Sequence, residues 1–200
     1  MSINTPQFES LPGFSPPSAV GPLRAASYWE LPEGEPVELI RGRFIVSPAP
    51  TFLHQTVSLL MSEILLKAAR QGGGRASAAP IDVILADHTI LQPDLIYVSK
   101  ARRGIVKPRV EGPPDLVVEI LSDANVRRDR VDKLNLYAEF GVAEYWIVDP
   151  KERQFDFLIN RAGKFEIQPQ RDDRYASPCL KELAIRLADF WKEVDRHVGD

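Results

Sequence analysis

The sequence predicts an α/β domain with a mixed β-sheet core flanked by helices. Two observations predict this class: apolar residues recur with helical spacing in some segments and with strand spacing in others, and a β-hairpin signal lies near each end of the folded part. The chain has 200 residues, of which 44% are hydrophobic and 26% are charged. This length and composition suit one domain with a substantial core and are too small for two.

The composition also predicts where the folded domain begins and in which compartment the protein resides. Residues 1–26 are rich in Pro, Ser and Gly and lack periodicity, which predicts a flexible tail followed by a single domain over 27–200. Cys179 is the single cysteine, which excludes an internal disulfide and suits a reducing compartment such as the cytoplasm. We expect neither a membrane span nor a secretion signal.

The first half of the domain predicts a hairpin and a long helix. The segment "VELIRGRFIV" (37–46) reads as two strands around Arg41-Gly42, since glycine accepts the positive φ of a tight hairpin turn. A helix then follows and ends at the glycines of 72–74. Its apolar positions have helical spacing: Leu53, Val57, Leu60, Ile64 and Ala68.

The second half predicts further strands, two helices and a second hairpin. Apolar segments at 81–85, 90–98 and 115–121 indicate strands, and an amphipathic helix is expected near 125–140. "EYWIVDPKERQFDFLI" reads as a C-terminal hairpin that turns at Asp149-Pro150, and "LADFWKEVDRHV" as a closing helix.

Two acids lie inside the most apolar of these strands. Glu119 shares a strand face with Asp115, Val117 and Leu121, and Asp94 lies in the preceding apolar segment. If the two strands pair, their carboxylates approach to about 5 Å and repel unless a cation lies between them. The same spacing also fits two separate structural ion pairs with Arg or Lys.

The helix after Glu119 supplies candidate cations. At about 100° per residue, Lys133 and Arg130 fall within an apolar arc that begins at Val131, while Asp132 falls on the solvent side. If this helix folds back across the sheet, the Lys133 amine comes alongside the carboxylates. Alternatively, Lys133 extends along the core to reach water.

Four segments together resemble the Uma-type restriction endonuclease family, a branch of the PD-(D/E)XK nuclease superfamily. They are "QPDLIYVS", "PPDLVVEILS", "RRDRVDKLNLYAEFGVAEYWIVDP" and "VELIRGRFIVSPAPTFLHQ". The resemblance covers residues 27–195 and is most specific over 114–150. It implies a restriction-endonuclease-like core and Mg²⁺-dependent hydrolysis of phosphodiester bonds, with DNA as the expected substrate and Mn²⁺ as a substitute metal.

The resemblance also implies roles for individual residues. Asp94 matches the acid of the PD motif and Glu119 the second acid, while Leu121 stands where a lysine is usual and Lys133 takes that lysine's place. Glu38 matches an acidic position that joins the metal site. Carboxylate and carbonyl oxygens suit Mg²⁺, so the expected ligands are Asp94, Glu119 and the backbone carbonyl of Ile120.

Other candidates are assigned less specifically. His54 matches a family histidine whose role is either structural, at the helix terminus or the pocket wall, or catalytic. Gln92 and Arg130 are expected to line the site. The net charge is −3, so any surface for nucleic acid must be local. The best such surface is the loop with Arg102, Arg103, Lys107 and Arg109, although an ordinary solvated loop fits these residues equally.

Three functions therefore stay open. The leading one is a metal-dependent endonuclease, and the departure at Leu121 keeps a catalytically silent nucleic-acid or protein-binding module as the alternative. A metal-dependent phosphatase with a closed pocket is the third. Cutting both strands of a duplex favours a symmetric pair of active sites and hence a homodimer.

Overall fold

Strands alternate with helices along the residues that the structure, a computed structural model, describes: 20–122 and 128–199. The helices are α1 (Ala25–Tyr28), α2 (Phe52–Gly72), α3 (Leu134–Glu139) and α4 (Leu187–Val198). The strands are β1 (Val37–Ile40), β2 (Arg43–Val46), β3 (Arg75–Ala78), β4 (Val83–Ala86), β5 (Thr89–Leu91), β6 (Leu95–Val98), β7 (Val110–Glu111), β8 (Leu116–Ile120), β9 (Glu144–Asp149), β10 (Gln154–Arg161), β11 (Lys164–Ile167), β12 (Arg174–Ala176) and β13 (Ala184–Arg186).

The strands form two larger sheets and one short pair. The first sheet has the order β2-β1-β5-β4-β7, the second has the order β11-β10-β9-β8-β6-β3, and β12 pairs with β13. Neighbouring strands are antiparallel except in the pairs β4 with β7 and β8 with β9, which are parallel. The predicted α/β class with a mixed sheet is confirmed, and the strands are divided between two sheets.

The N-terminal hairpin forms as expected. Arg41 and Gly42 have φ angles of 46° and 73°, the left-handed conformation that a two-residue turn between antiparallel strands requires. The chain before the hairpin packs against this turn, since the Gly21 N–H donates to the Arg41 carbonyl at 2.7 Å and the Leu23 N–H donates to Gly42 at 3.1 Å. Gly21 and Leu23 of the predicted tail (1–26) therefore contact the hairpin, and residues 1–19 lie outside the described residues.

The apolar segment 90–98 does not form one strand. It is interrupted at Gln92-Pro93-Asp94, so that β5 belongs to the first sheet and β6 to the second. Proline has no N–H for a strand ladder, which explains the interruption at this position. As a result, Asp94 lies where the chain passes from one sheet to the other.

The two faces of β8 pack into different cores. Leu116, Val118 and Ile120 face α2 and α4, whereas Val117 and Leu121 join a cluster with α3 and residues of the first sheet. This is the alternation that the sequence predicts. Leu121 is thus a buried core residue.

The helix expected near 125–140 is only partly described, because 123–127 lie outside the described residues. Arg128–Lys133 is π-helical and continues into α3. Asp132 is 5% exposed and Val131 is 45% exposed, the reverse of the prediction. A π-helical turn holds more residues than an α-helical turn, so the faces rotate away from the assumed 100° spacing.

The remaining predicted elements are confirmed. α2 covers the predicted helix and stops before Gly73, which has a φ of 72°. β9 and β10 form the C-terminal hairpin, with Asp149 opposite Gln154, and α4 is the closing helix. Among the helices of the described part, none is long and apolar enough to cross a membrane.

Candidate active site

Asp94 and Glu119 come together because β6 pairs with β8. The register places Leu95 opposite Val118, which brings Asp94 beside the Glu119-Ile120 end of β8. Asp94 Oδ2 accepts a hydrogen bond from the Ile120 N–H at 2.7 Å. The expected pairing of the two acidic strands is therefore observed, with a backbone amide holding the Asp94 carboxylate.

The Lys133 ammonium occupies the space between two carboxylates. Its Nζ lies 2.9 Å from Glu119 Oε1 and 3.1 Å from Glu38 Oε1. Lys133 is 3% exposed, so its side chain ends inside the protein and does not extend to water. Burial of a charged amine costs several kcal/mol, and the two carboxylates offset that cost.

Tyr137 completes the surroundings of Glu119. Its hydroxyl donates to Glu119 Oε1 at 2.9 Å from a fully buried position. Burial raises the pKa of Tyr137 well above its ordinary value of 10, and the negative charges of Glu119 and Glu38 raise it further. Tyr137 therefore stays protonated and acts as a hydrogen-bond donor.

Glu38 reaches the site from the first sheet. It lies in β1, is almost fully buried, and accepts the Gln92 N–H on Oε1 at 2.8 Å. Its Oε2 is also buried, and within 20–122 and 128–199 no hydrogen-bond partner reaches it. A buried carboxylate oxygen in this state is suited to a cation.

His54 is positioned by the start of α2. Thr51 caps this helix by accepting the His54 N–H on its hydroxyl at 3.2 Å. The His54 ring then places Nε2 3.3 Å from Asp94 Oδ2. The long helix thereby supplies one contact to the Asp94 carboxylate.

Gln92 connects the site to a neighbouring polar network. Its side-chain amide donates to the Tyr28 hydroxyl at 3.0 Å and to Asp82 Oδ1 at 3.1 Å. The Tyr28 hydroxyl also donates to Asp82, at 2.8 Å. Burial and the Asp82 carboxylate raise the pKa of Tyr28, which keeps this hydroxyl protonated.

These side chains surround a cavity of about 250 Å³ at the junction of the two sheets. The predicted site residues that line it are His54, Gln92, Asp94, Glu119, Ile120 and Lys133. Glu38 lies directly behind them through its contact with Lys133. The structure thus brings together seven residues that the sequence analysis selected.

The other predicted residues lie elsewhere. Arg130 contacts Asp156 at 2.5 Å and Asp149 at 3.6 Å, and the expectation that it lines the site stays a prediction. Both acids lie on the β9-β10 hairpin, and the Arg130 guanidinium binds them from the π-helical segment Arg128–Lys133.

The basic loop is largely engaged with acids of its own neighbourhood. Arg102 pairs with Asp115 at 3.7 Å, Lys107 with Glu111 at 2.5 Å and Arg109 with Asp82 at 3.4 Å, while Arg103 is exposed. These pairs weaken the loop as a phosphate-binding surface, since each cation is already partly neutralised. Phosphate binding by these residues stays a prediction.

Sequence reasoning did not select Tyr137, Tyr28 or Asp82. Tyr137 follows Lys133 by four residues and therefore shares its helix face, so a hydroxyl inside the apolar arc was the available signal. Tyr28 and Asp82 are 54 positions apart and meet only through the tertiary fold.

The donor set suits a hard cation, although the carboxylates are not gathered into a metal centre. In the described part of the chain, no group of three or more His, Cys, Asp or Glu residues is arranged to hold a metal ion. The carboxylate oxygens at the cavity are those of Asp94 and Glu119, and Glu38 Oε2, which has no hydrogen-bond partner among the described residues, lies behind it. Such oxygens fit Mg²⁺ or Mn²⁺ better than a softer metal.

Comparisons with known proteins identify the family and a similar fold. A family model described as Uma2, putative restriction endonuclease, matches residues 25–188. A crystal structure from Anabaena variabilis ATCC 29413, described as a putative nuclease belonging to DUF820, has a similar fold with a TM-score of 0.72. The likeness covers 86% of this chain and 99% of that chain at 21% sequence identity. No curated protein matches the chain in sequence.

Proposed function

The chain belongs to the Uma2 family of restriction-endonuclease-like proteins, and from this premise we propose that it is a metal-dependent endonuclease that hydrolyses phosphodiester bonds in DNA. One observation carries the proposal: a buried lysine, Lys133, is held by Glu119 and Glu38 at the wall of a cavity that also contains Asp94. A positive charge fixed beside carboxylates is what phosphoryl transfer needs, because negative charge builds up on the phosphate oxygens in the transition state.

A divalent cation fits the oxygens of this cavity. Asp94, Glu119 and the Ile120 carbonyl would hold Mg²⁺, or Mn²⁺ in its place, while Glu38 supports the site from behind the cavity through Lys133. When bound, such an ion lowers the pKa of a coordinated water and offsets charge on the phosphate.

Leu121 stands where the family motif usually has a lysine, and Lys133 takes over the role of that lysine. Leu121 is packed in the core, whereas the Lys133 ammonium reaches the cavity wall from the next helix. Held by Glu38 and Glu119, this ammonium orients the attacking water or stabilises the charge that develops on the phosphate.

The surrounding residues position the acids. The Ile120 N–H and His54 fix the Asp94 carboxylate, and the Tyr137 hydroxyl fixes Glu119. The Gln92 N–H holds Glu38 against Lys133. These contacts favour one orientation of each catalytic side chain and reduce the reorganisation needed during the reaction.

The alternative function is a catalytically silent binding module. The observation in its favour is that Lys133 already neutralises Glu119 and Glu38, so both acids have a structural partner without a metal ion. This reading predicts binding of nucleic acid or protein without hydrolysis.

Incubation of the purified protein with plasmid DNA and single-stranded DNA distinguishes the two functions. The proposal predicts cleavage with Mg²⁺ or Mn²⁺, none with EDTA, and loss of cleavage in Asp94→Asn and Glu119→Gln. Glu144→Gln is the matched control, because Glu144 is a buried glutamate outside this cavity. Absence of cleavage by the wild type under every condition, or full activity of both site variants, contradicts the proposal.

We propose further that the active form on duplex DNA is a homodimer, since two symmetric sites cut two antiparallel strands. Sedimentation of the purified protein at micromolar concentration measures this directly. A monomer with double-strand cleavage activity contradicts it.

A further inference from the structure

A second and larger groove adjoins the active-site cavity. It has a volume of about 720 Å³, and its walls include Tyr28, Trp29, Asp82 and Arg109. Gly34, Pro80 and Gln92 line both the groove and the active-site cavity, so the two are direct neighbours. A polymeric substrate bound in the cavity is long enough to reach this groove.

A flat, partly exposed platform forms one wall of the groove. The Arg109 guanidinium lies 3.9 Å from the centre of the Trp29 ring, and Arg109 Nε lies 3.4 Å from Asp82 Oδ2. Trp29 is 38% exposed, and the Arg109 side chain is 51% exposed. Indole rings and guanidinium planes are surfaces on which unpaired nucleobases stack.

The charges of the groove favour a base over a phosphate. Glu33, Glu35 and Asp82 line it together with a single cation, Arg109. Three carboxylates against one guanidinium disfavour a phosphate group. The Asp82 carboxylate is instead an acceptor for amino groups on the edge of a base.

Gln92 connects this groove to the acids of the active site. Its backbone N–H donates to Glu38, while its side chain donates to Tyr28 and Asp82 in the groove. Gln92 thus joins the wall of the groove to Glu38, the acid that lies behind the active-site cavity.

Building on the proposed nuclease function, we infer that the groove binds the base of a nucleotide next to the scissile phosphate, stacked on the Trp29-Arg109 platform. A base within a duplex has both faces stacked and its pairing edge occupied, so it cannot present a face to Trp29 and an edge to Asp82 together. The substrate strand is consequently single-stranded or locally unpaired at this position.

Tryptophan fluorescence in EDTA tests this binding without any cleavage. The sequence has three tryptophans, and Trp146 and Trp191 are buried whereas Trp29 lines the groove. Stacking of a short oligodeoxycytidine should quench the Trp29 emission. Trp29→Phe should abolish the quenching, and Trp191→Phe should retain it.

An oligonucleotide of the same length that lacks its bases is the matched ligand control. The inference predicts that this abasic strand and a blunt duplex leave the emission unchanged. Equal quenching by the abasic strand or the duplex overturns the inference. So does quenching that survives in Trp29→Phe, or an absence of quenching with the intact oligonucleotide.

Affinity measurements with a labelled oligodeoxycytidine extend the test to the platform. Trp29→Ala and Arg109→Gln should weaken binding roughly tenfold to a hundredfold, the usual effect of losing one base stack. Lys164→Gln is the control, because Lys164 is an exposed lysine of β11 that does not line the groove. Equal weakening by all three variants indicates general electrostatic binding and overturns the inference.

The experiments test the nuclease proposal and the base-binding inference independently of each other. If the wild type binds oligodeoxycytidine through Trp29 but cleaves no DNA with Mg²⁺ or Mn²⁺, the base-binding inference holds and the nuclease proposal fails. If the wild type cleaves DNA while Trp29→Ala cleaves and binds equally well, the nuclease proposal holds and the base-binding inference fails.

Discussion

The Lys133 ammonium and the Glu119 carboxylate form an ion pair of 2.9 Å in which both side chains are almost fully buried. Glu38 is a second partner of the same ammonium at 3.1 Å. One cation therefore serves two buried acids, and the consequence of a substitution depends on which of the three groups it removes.

Removal of the cation should be costly. Lys133→Met leaves Glu38 and Glu119 buried near each other without a positive charge, and loss of one member of a buried pair destabilises a protein by about 3 kcal/mol or more. Urea denaturation at pH 7 measures this change in the free energy of unfolding. Lys164→Met, at an exposed position in β11, is the control and should change stability little. A loss below about 1 kcal/mol in Lys133→Met would show that the ion pair contributes little to the folded state.

Removal of Glu119 should be tolerated better, because Lys133 keeps Glu38 as its partner. Glu119→Gln should stay within about 1 kcal/mol of the wild type in EDTA. The wild type should gain stability with Mg²⁺, by about 2.7 kcal/mol at 100 times the dissociation constant, and the variant should not. Thermal unfolding with and without Mg²⁺ measures both effects, with Glu144→Gln as the buried control that keeps the gain. Equal stabilisation of wild type and Glu119→Gln by Mg²⁺ excludes Glu119 as a metal ligand.

The Tyr137 hydroxyl should affect both stability and activity. Tyr137→Phe removes its hydrogen bond to Glu119, and a hydrogen bond to a charged group contributes about 1.5 kcal/mol or more. Cleavage should also slow, because Glu119 loses a contact that orients it. Tyr175→Phe is a close control, since Tyr175 donates to the buried Glu144 outside the cavity. That variant should lose stability and keep its cleavage rate; equal slowing in both variants contradicts an orienting role for Tyr137.

Glu144 should make stability depend on pH. Burial raises the pKa of Glu144 above its ordinary value of 4.5, although hydrogen bonds from Ser177, Tyr175 and Trp146 partly counter this effect. The folded state therefore holds the proton more tightly than the unfolded state, and the contribution of this group to stability is greatest below pH 4.5 and is lost as the pH rises through the folded pKa.

Glu144→Gln removes this titration. Relative to the wild type, the variant should become more stable as the pH is raised from 4.5 towards neutrality. Urea denaturation across this range provides the measurement. Glu166→Gln, an exposed substitution in β11, should follow the wild-type profile. A constant difference between Glu144→Gln and the wild type at every pH disproves the assignment.

Local sequence patterns were sufficient to predict the N-terminal hairpin, α2 and the burial alternation along β8. The Arg41-Gly42 turn follows from the positive φ that glycine accepts, and α2 follows from apolar residues at helical spacing that end at glycines. The alternation along β8 placed Glu119 on the face that meets α3. Its position in the apolar arc of the next helix left Lys133 either buried or extended to water, and the packing buries it.

The sequence by itself therefore determined the α/β class and the hairpins, and it selected Asp94, Glu119 and Lys133 as candidates for one site. Only the tertiary structure decided that Glu38 reaches Lys133 from another sheet, that Tyr28 meets Asp82, and that Arg130 turns to Asp149 and Asp156. The physical reason is that periodicity reports which face of an element is buried. The ionic partner of a buried or loop charge depends on how segments distant in sequence pack together, and that information lies outside any local pattern.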